Sequence, residues 1–386
     1  MNILVFPLTY PNERNRMANI FTFEQVKELS KVNNITVMYV QLLPTRMLFH
    51  KKKKGIIHYN DGVSDVYYIQ MHTFKFSRFP KSNAMIYKKY AKKLFDYVLK
   101  ECGTPDLVYA HFTLYAGWAA ALLCEEYKIP LVIQEHDGSI ISKHLTSFQK
   151  NCLAYATNIS KKFICVSNDL KIKMEEIVKS TSKYTVIGNM VDEKFQYMPR
   201  KTKEKFVFLS VGNLYIGKHM DLLIKAFCKA FDKDDKVLLR ICGEGECRQE
   251  LEKIIKANNR ENQIILLGRC DRNTIFEEYK YCDSFVLASD HETFGIVYRE
   301  AMAVGRPIIT TNHGGFATGE FRNNDGVMIE KNNERELVEA LKSMYENIDS
   351  YCGKDISETC LAKYSPDNIS KQLNDVLVNA STNGGE

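Results

Sequence analysis

Short runs of Val, Ile, Leu and Phe alternate with amphipathic, helix-length stretches along this chain, and they do so twice. Ile3–Phe6 reads as a strand and Phe21–Val32 as a helix, with Ile35–Val40 as the next strand. Lys81–Lys100 reads as a helix, followed by strands at Leu107–Ala110, Leu131–Gln134 and Phe163–Val166. The scheme restarts with strand Val207–Val211 and helix Met220–Phe231, and continues with strand Val237–Cys242 and helix Arg248–Asn258. Strand Ile264–Leu267, helix Asn273–Tyr281, strand Ser284–Leu287, helix Gly295–Val304 and strand Pro307–Thr310 complete it. A continuously apolar strand must be buried on both faces, which a parallel sheet covered by helices provides. Two such sets in 386 residues predict an α/β protein of two doubly wound, Rossmann-like domains. The polar stretch Asp192–Lys205, with Pro199 and the run Arg200-Lys201-Thr202-Lys203, marks the boundary. The domains are therefore expected at 1–196 and 197–365. Ser365-Pro366 opens a capped helix over Asp367–Val378.

Composition narrows the class. With 45% hydrophobic and 26% charged residues, the chain is neither disordered nor collagen-like. The longest apolar run, Ala116–Cys124, is about half the ~20 residues that span a bilayer. The N-terminus reaches Pro7 with no basic region before it and reads as a buried strand, not a signal peptide. Eleven scattered cysteines without a C-x-x-C pair argue for reduced thiols in a cytoplasmic protein. Charge is uneven: residues 1–199 hold 27 Lys and Arg against 17 Asp and Glu, whereas residues 200–386 hold 26 against 30. A basic half suits a membrane surface, an anionic substrate or nucleic acid.

Open α/β sheets bind ligands at the carboxyl ends of their strands, so the loops there carry the chemistry. Ser210–Lys218 ends a strand in a loop with Gly212, Gly217 and Lys218, just before a helix. Backbone N–H groups, a helix N-terminus and a lysine together suit a diphosphate; an ordinary turn with a solvated lysine is the alternative. Cys242-Gly243-Glu244-Gly245 is a second glycine turn, read first as a tight turn. In Ser289–Glu300, Glu292 sits in a loop and Glu300 lies inside the following helix. A loop glutamate can accept from sugar hydroxyls, and one in the helix can hold a vicinal diol such as a ribose. The N–H groups near Gly295 and Ile296 would face a phosphate. The alternative is a capping carboxylate and a surface glutamate. In the first half, His111 and His136 follow neighbouring strands and form a candidate pair.

The stretch from Val211 to Gly315 resembles the donor domain of retaining family 4 glycosyltransferases of the GT-B fold. Five blocks occur in family order: 211–227, 240–245, 266–283, the E-x7-E pair Glu292 and Glu300, and Thr311-Asn312-His313-Gly314-Gly315. Ile187–Asp192 is similar to the family's approach to its interdomain hinge. Phe21–Gln25 and the two histidine segments anchor a looser match of the first half.

The resemblance implies two domains facing a cleft, an N-terminal acceptor domain and a C-terminal nucleotide-sugar donor domain, with a C-terminal helix, 366–386, returning to the first. It implies that Lys218 holds the donor diphosphate, Glu292 lies near the donor sugar and Glu300 binds the ribose. It places Gly295 and Ile296 at the distal phosphate, Phe294 among the donor-binding residues, Arg269 and Cys270 at the nucleobase, and His136 beside the transferred sugar and acceptor, with His111 secondary. Asn213 stands where the family usually has an arginine, which weakens the charge on the diphosphate. Arg14 or Arg16, in the loop replacing the family's glycine loop, is the expected substitute.

The function implied is a metal-independent, retaining hexosyltransferase without a cofactor, moving a unit from a UDP- or GDP-sugar to a glycan acceptor in cell-surface polysaccharide biosynthesis. The leaving phosphate takes the acceptor proton, so no protein base is required. A phosphorylase, a sugar-nucleotide epimerase and a non-catalytic glycan- or nucleic-acid-binding protein are the alternatives. No pyridoxal-lysine motif or RNA-binding signature supports them, and nucleic acid is not an expected partner. Lys51–Lys54 and Lys88, Lys89, Lys92 and Lys93 offer a basic surface for an anionic bilayer, with Tyr87, Leu94, Phe95 and Val98 turned to the core. A lipid-linked acceptor and a peripheral position at the inner face of the cell membrane would fit.

Overall fold

A computed structural model describes residues 1–15, 17–44, 55–73, 80–142, 144–179, 183–201, 203–232, 236–313 and 321–382. It divides into two compact units, Met1–Met190 with Pro366–Glu386, and Val191–Ser365.

In the first unit β1 (Asn2–Pro7) leads to α1 (Ile20–Leu29), β2 (Asn34–Pro44), β3 (Ile56–Asn60), β4 (Asp65–Thr73) and α2 (Pro80–Cys102). Then come β5 (Leu107–His111), α3 (Trp118–Tyr127), β6 (Leu131–Glu135), α4 (Ser139–Ser142), α5 (Ser147–Ile159), β7 (Lys162–Cys165), α6 (Asn168–Val178) and β8 (Tyr184–Val186). The sheet runs β3-β4-β2-β1-β5-β6-β7-β8. Its central strands β1, β5 and β6 are almost wholly buried, as their unbroken apolar sequences require. β3 departs from the all-parallel expectation by pairing antiparallel with β4. The turn between them is built by Asp61, whose Oδ1 accepts from the Val63 and Ser64 N–H groups at 2.9 and 2.8 Å.

The second unit holds β9 (Phe206–Val211), α7 (Met220–Ala230), β10 (Val237–Cys242), α8 (Arg248–Ala257), β11 (Ile264–Gly268), α9 (Arg272–Tyr281) and β12 (Ser284–Leu287). α10 (Ile296–Ala303), β13 (Ile308–Thr311), β14 (Gly326–Ile329), α11 (Glu334–Glu346) and α12 (Gly353–Tyr364) follow. Its sheet, β11-β10-β9-β12-β13-β14, is parallel at every pair.

The chain leaves the first unit after Met190, earlier than the Gln196 expected from composition. The polar stretch is not a free linker, because Val191 and Phe195 are fully buried in the second unit's core. Phe195 packs edge-on against Phe276 and Tyr279, with centroids 5.3 and 5.7 Å away. α13 (Pro366–Thr382) belongs to the first unit. It buries Ile369, Leu373, Leu377 and Ala380, and Asn374 accepts from the Asn33 amide at 2.9 Å.

Gly243 and Gly245 let the loop after β10 press onto the loop after β9. A Cβ at Gly243 would lie 1.9 Å from the Gly212 carbonyl oxygen, and one at Gly245 2.2 Å from that of Leu214. The glycines are thus a packing requirement and not a phosphate cradle. Gly243→Ala or Gly245→Ala is expected to cost about 1–3 kcal/mol of stability. Gly212→Ala, whose nearest neighbour would be 3.5 Å away, should be mild. Thermal unfolding of the three variants checks this ranking.

Candidate functional site

At the carboxyl end of the second sheet, two loops are clasped by their backbones. The Gly217 carbonyl accepts from the Asp290 N–H at 3.0 Å and from the Ser289 hydroxyl at 3.3 Å. The clasp joins the loop after β9 to the loop after β12. It sets Lys218 Nζ against Glu292 Oε1 in an ion pair whose side chains are only 12% and 14% exposed. His219 adds a contact to Asp290 at 2.6 Å, and Asn332 donates to Asp290 at 3.0 Å. Lys218 is therefore not a solvated turn lysine, and Glu292 is not a cap.

Gly295 lies at the N-cap of α10 with φ 73°, in the left-handed region that glycine tolerates best. A Cβ there would meet the Tyr298 ring at 2.7 Å. Having no side chain, Gly295 offers the first turn of α10 no side-chain cap; its carbonyl accepts from the Tyr298 N–H at 3.1 Å, leaving the N–H groups of Ile296 and Val297 without a capping side chain. The turn before it is fixed by Arg299, whose Nη1 donates to the Phe294 carbonyl at 2.7 Å and whose guanidinium lies 4.6 Å from that ring's centroid. Phe294 is buried against Tyr364.

Glu300 is not a surface glutamate; its side chain is 1% exposed. Burial pushes its carboxyl above the usual range, and the Arg272 guanidinium works against that shift. Arg272 pairs with Glu300 Oε1 and lies 3.7 Å from Asp192. Beneath α10, buried His313 approaches the hydroxyls of Tyr298 and Thr310 at 3.3 and 3.4 Å. Burial pushes its imidazole down to about 3 and keeps it neutral. Arg269 is exposed and Cys270 half-buried after β11, and Asn213 is exposed on the loop that carries Lys218.

In the first unit β5 and β6 bring His111 and His136 together. His111 Nδ1 and His136 Nε2 are 3.0 Å apart, and the rings stack at 16°. Phe21 and Phe112 enclose His136, with centroids at 4.5 and 5.2 Å. His111 is fully buried, so it supports His136 and presents no face to a ligand. Burial pushes it down to about 3. Burial and the adjacent His111 likewise lower His136, against the Asn189 side chain. Both rings are neutral at physiological pH.

Glu135 is the residue the sequence did not single out. Its buried carboxylate accepts N–H bonds from Thr113 at 2.8 Å, His136 at 2.8 Å and Asp137 at 2.9 Å. It ties together the ends of β5 and β6 on which the histidines sit. Burial, aided by Asp137, raises its pKa to about 7 against those hydrogen bonds. Arg272 and His313 were not singled out either: they lie inside the blocks 266–283 and 311–315, but only the packing shows Arg272 on Glu300 and His313 beneath α10. Arg14 is exposed on the loop before α1. Arg16, Lys51–Lys54 and the Gly314-Gly315 loop lie outside the described residues.

Among the described residues no three or more His, Cys, Asp or Glu side chains gather as metal ligands. All eleven cysteines are free. No described helix is long and apolar enough to cross a membrane.

Comparison with known proteins agrees with this architecture. Residues 19–195 match Glycosyltransferase Family 4, and residues 192–355 match the glycosyl transferases group 1 family. The chain belongs to the family 4 type of GT-B glycosyltransferases. It is 29% identical over 243 residues to an uncharacterized glycosyltransferase of Methanocaldococcus jannaschii, covering 63% of this chain and 66% of that one. It is 38% identical over 149 residues to the N-acetylgalactosamine-N,N'-diacetylbacillosaminyl-diphospho-undecaprenol 4-alpha-N-acetylgalactosaminyltransferase of Campylobacter jejuni, covering 38% of each. The chain thus matches less than two thirds of the length of either relative. The Anabaena protein HepE, solved in complex with UDP and glucose, shares the fold with TM-score 0.72 at 17% identity, over 98% of this chain and 100% of that one.

The buried histidines make stability sensitive to acid. His111 titrates near 6.5 when unfolded and near 3 when folded, so the unfolded chain binds more protons between those values. Its contribution is full above about 6.5 and is lost as pH falls toward 3. His111→Gln should therefore flatten the loss of melting temperature on acidification from about pH 6.5 to 5. An unchanged slope would show that His111 does not titrate this way.

Proposed function

We propose that this protein is a metal-independent, retaining hexosyltransferase that uses a UDP- or GDP-sugar and a glycan acceptor. The observation that carries this reading is the Lys218–Glu292 pair beside the uncapped start of α10, with Glu300 buried behind it. A donor diphosphate would take Lys218 and the α10 N–H groups. That would release Glu292 to accept from the sugar hydroxyls. Glu300, held by Arg272, would bind the ribose diol, with Arg269 and Cys270 at the base. An acceptor hydroxyl would attack the anomeric carbon as its bond to the diphosphate oxygen breaks. The leaving phosphate would take the hydroxyl proton. Lys218 and the helix N-terminus would stabilise the charge that grows on that phosphate. His136, kept neutral, would pack beside the transferred sugar and acceptor. Arg14 or Arg16 would supply the charge that Asn213 lacks. That the Anabaena protein was solved with UDP and glucose supports a nucleotide-sugar donor.

A lipid-linked acceptor in cell-surface polysaccharide synthesis is part of the same reading. The Campylobacter relative's name contains diphospho-undecaprenol, which supports it. So does α2, which turns Tyr87, Leu94, Phe95 and Val98 inward and exposes Met85, Ile86, Lys89 and Lys93. Lysines beside exposed apolar side chains suit the inner face of an anionic bilayer. Lys92 adds little there, since Glu126 at 2.6 Å and Asp96 at 3.8 Å compensate its charge.

A calorimetric screen of UDP-, GDP- and ADP-sugars, with detection of released nucleotide, tests the assignment. One donor should bind and be consumed. Lys218→Ala should weaken the nucleotide by more than about tenfold, because a charge-assisted bond contributes ~1.5–3 kcal/mol. Glu292→Ala should lower kcat more than it raises KM, whereas Glu300→Ala should mainly raise the donor KM. A folded Lys218→Ala variant with unchanged affinity would remove the diphosphate assignment.

Replacing Lys89 and Lys93 with Gln should reduce co-sedimentation with anionic vesicles at low salt. At high salt the wild type should lose binding too. Equal binding by both proteins at low salt would remove α2 as a membrane contact.

A further inference from the structure

The β3–β4 hairpin adds something that neither the donor loops nor the histidine pair uses. Side chains alternate across its strands. On one face His58 stacks on Tyr67, with centroids 4.4 Å apart, and Tyr67 meets Tyr97 of α2 at 6.2 Å. On the other face Tyr68 stacks on Tyr39 at 5.2 Å and meets the edge of Tyr59 at 6.1 Å. The loop after β1 brings Tyr10 to 6.2 Å from Tyr39, and α1 brings Phe23 to 6.2 Å from Tyr10. Between this loop and the hairpin lies a cavity of about 610 Å3, lined by Tyr10, Glu13, Phe23, Tyr59, Asp61 and Tyr68 among others. That volume falls within the ~300–1,000 Å3 range of small-molecule pockets.

The walls are pinned before anything binds. The Tyr10 hydroxyl donates to Asp61 Oδ2 at 3.0 Å, and the Tyr59 hydroxyl donates to the Pro11 carbonyl at 3.2 Å. Asn12 donates to the Tyr10 carbonyl at 2.8 Å. Among the described residues that line it none is a lysine or arginine, although this half of the chain is rich in both.

We propose that this cavity is a glycan subsite that holds a neutral saccharide unit of the acceptor. The proposal rests on the reading of the first unit as acceptor-binding. A pyranose ring offers an apolar C–H face to aromatic rings and hydroxyl groups to carboxylates and amides, and the cavity supplies both. A phosphate or an acidic sugar would meet the carboxylates of Glu13 and Asp61, and the lining His58 is already engaged by Asp65 at 2.9 Å. A cationic group fits less well, because Asp61 already accepts from a tyrosine hydroxyl and two turn N–H groups. The sheet order separates the subsite from His136. The hairpin wall lies at β3 and β4 and His136 follows β6, with β2, β1 and β5 between them. The opposite wall comes closer, since Phe23 is near in sequence to Phe21, whose ring centroid is 4.5 Å from that of His136. The cavity therefore holds a saccharide unit next to or beyond the one being extended, and favours acceptors of several units.

The test uses the full chain with maltotetraose, cellotetraose and chitotetraose, each also in a diazirine form for photo-crosslinking. At least one tetrasaccharide should bind and crosslink within residues 10–13 or 57–61. Tyr59→Ala and, separately, Phe23→Leu should weaken it by about tenfold, a typical loss for a central aromatic contact, with UDP or GDP affinity and melting temperature kept. Crosslinks confined to the segments around His136, binding indifferent to both substitutions, or no binding by any tetrasaccharide would overturn the subsite. Choline competing at the cavity in place of the saccharides would overturn it too. Failure of every nucleotide-sugar to bind would instead strike the transferase reading.

Discussion

The candidate donor site depends on one backbone clasp. The carbonyl of Gly217 is shared by the Asp290 N–H and the Ser289 hydroxyl, which ties the loops after β9 and β12 to each other. Lys218 and Glu292, far apart in sequence, thereby become an ion pair at a half-buried position. Each neutralises the other where either alone would be costly. The packing behind it is equally demanding. Gly243 and Gly245 admit no side chain without displacing the carbonyls of Gly212 and Leu214.

The first unit solves a related problem with a different group. Strand ends leave backbone N–H groups without sheet partners. At β5 and β6 the carboxylate of Glu135 collects three of them, two from its own loop and one from the element after β5. The histidines then need no charge of their own, and burial keeps them neutral. The backbone at Phe112 and Tyr115 takes positive φ values of 67° and 70°, a cost that fixed anchoring helps to sustain.

Much of this was legible in the sequence. Continuous apolar runs placed most of the parallel strands, though not β4, β8 or β14, because a strand buried on both faces has no polar alternation to confuse it. The E-x7-E pair and the loop ending in Lys218 were read at strand ends, and the fold brings Lys218 and Glu292 together at one end of the second sheet. What escaped had physical reasons. β3 is short and half-exposed, and β4, although buried, breaks its apolar run with Gln70 and His72, so neither has the plain signature of the other strands; the Asp61-Gly62 turn was the available signal. The domain crossing was set too late, because buried Val191 and Phe195 lie among charged neighbours. Glu135 and Arg272 owe their roles to hydrogen bonds and ion pairs that no local pattern encodes.

The central claim is that Glu292 holds Lys218 until a diphosphate displaces it. A double-mutant cycle on UDP and GDP binding tests this most directly. Glu292→Gln alone should tighten the nucleoside diphosphate that binds, because it frees Lys218 without removing it. The gain should vanish when Lys218 is already Met. If Glu292→Gln weakens the nucleoside diphosphate, or tightens it equally with and without Lys218, the ion pair is not the gate described here.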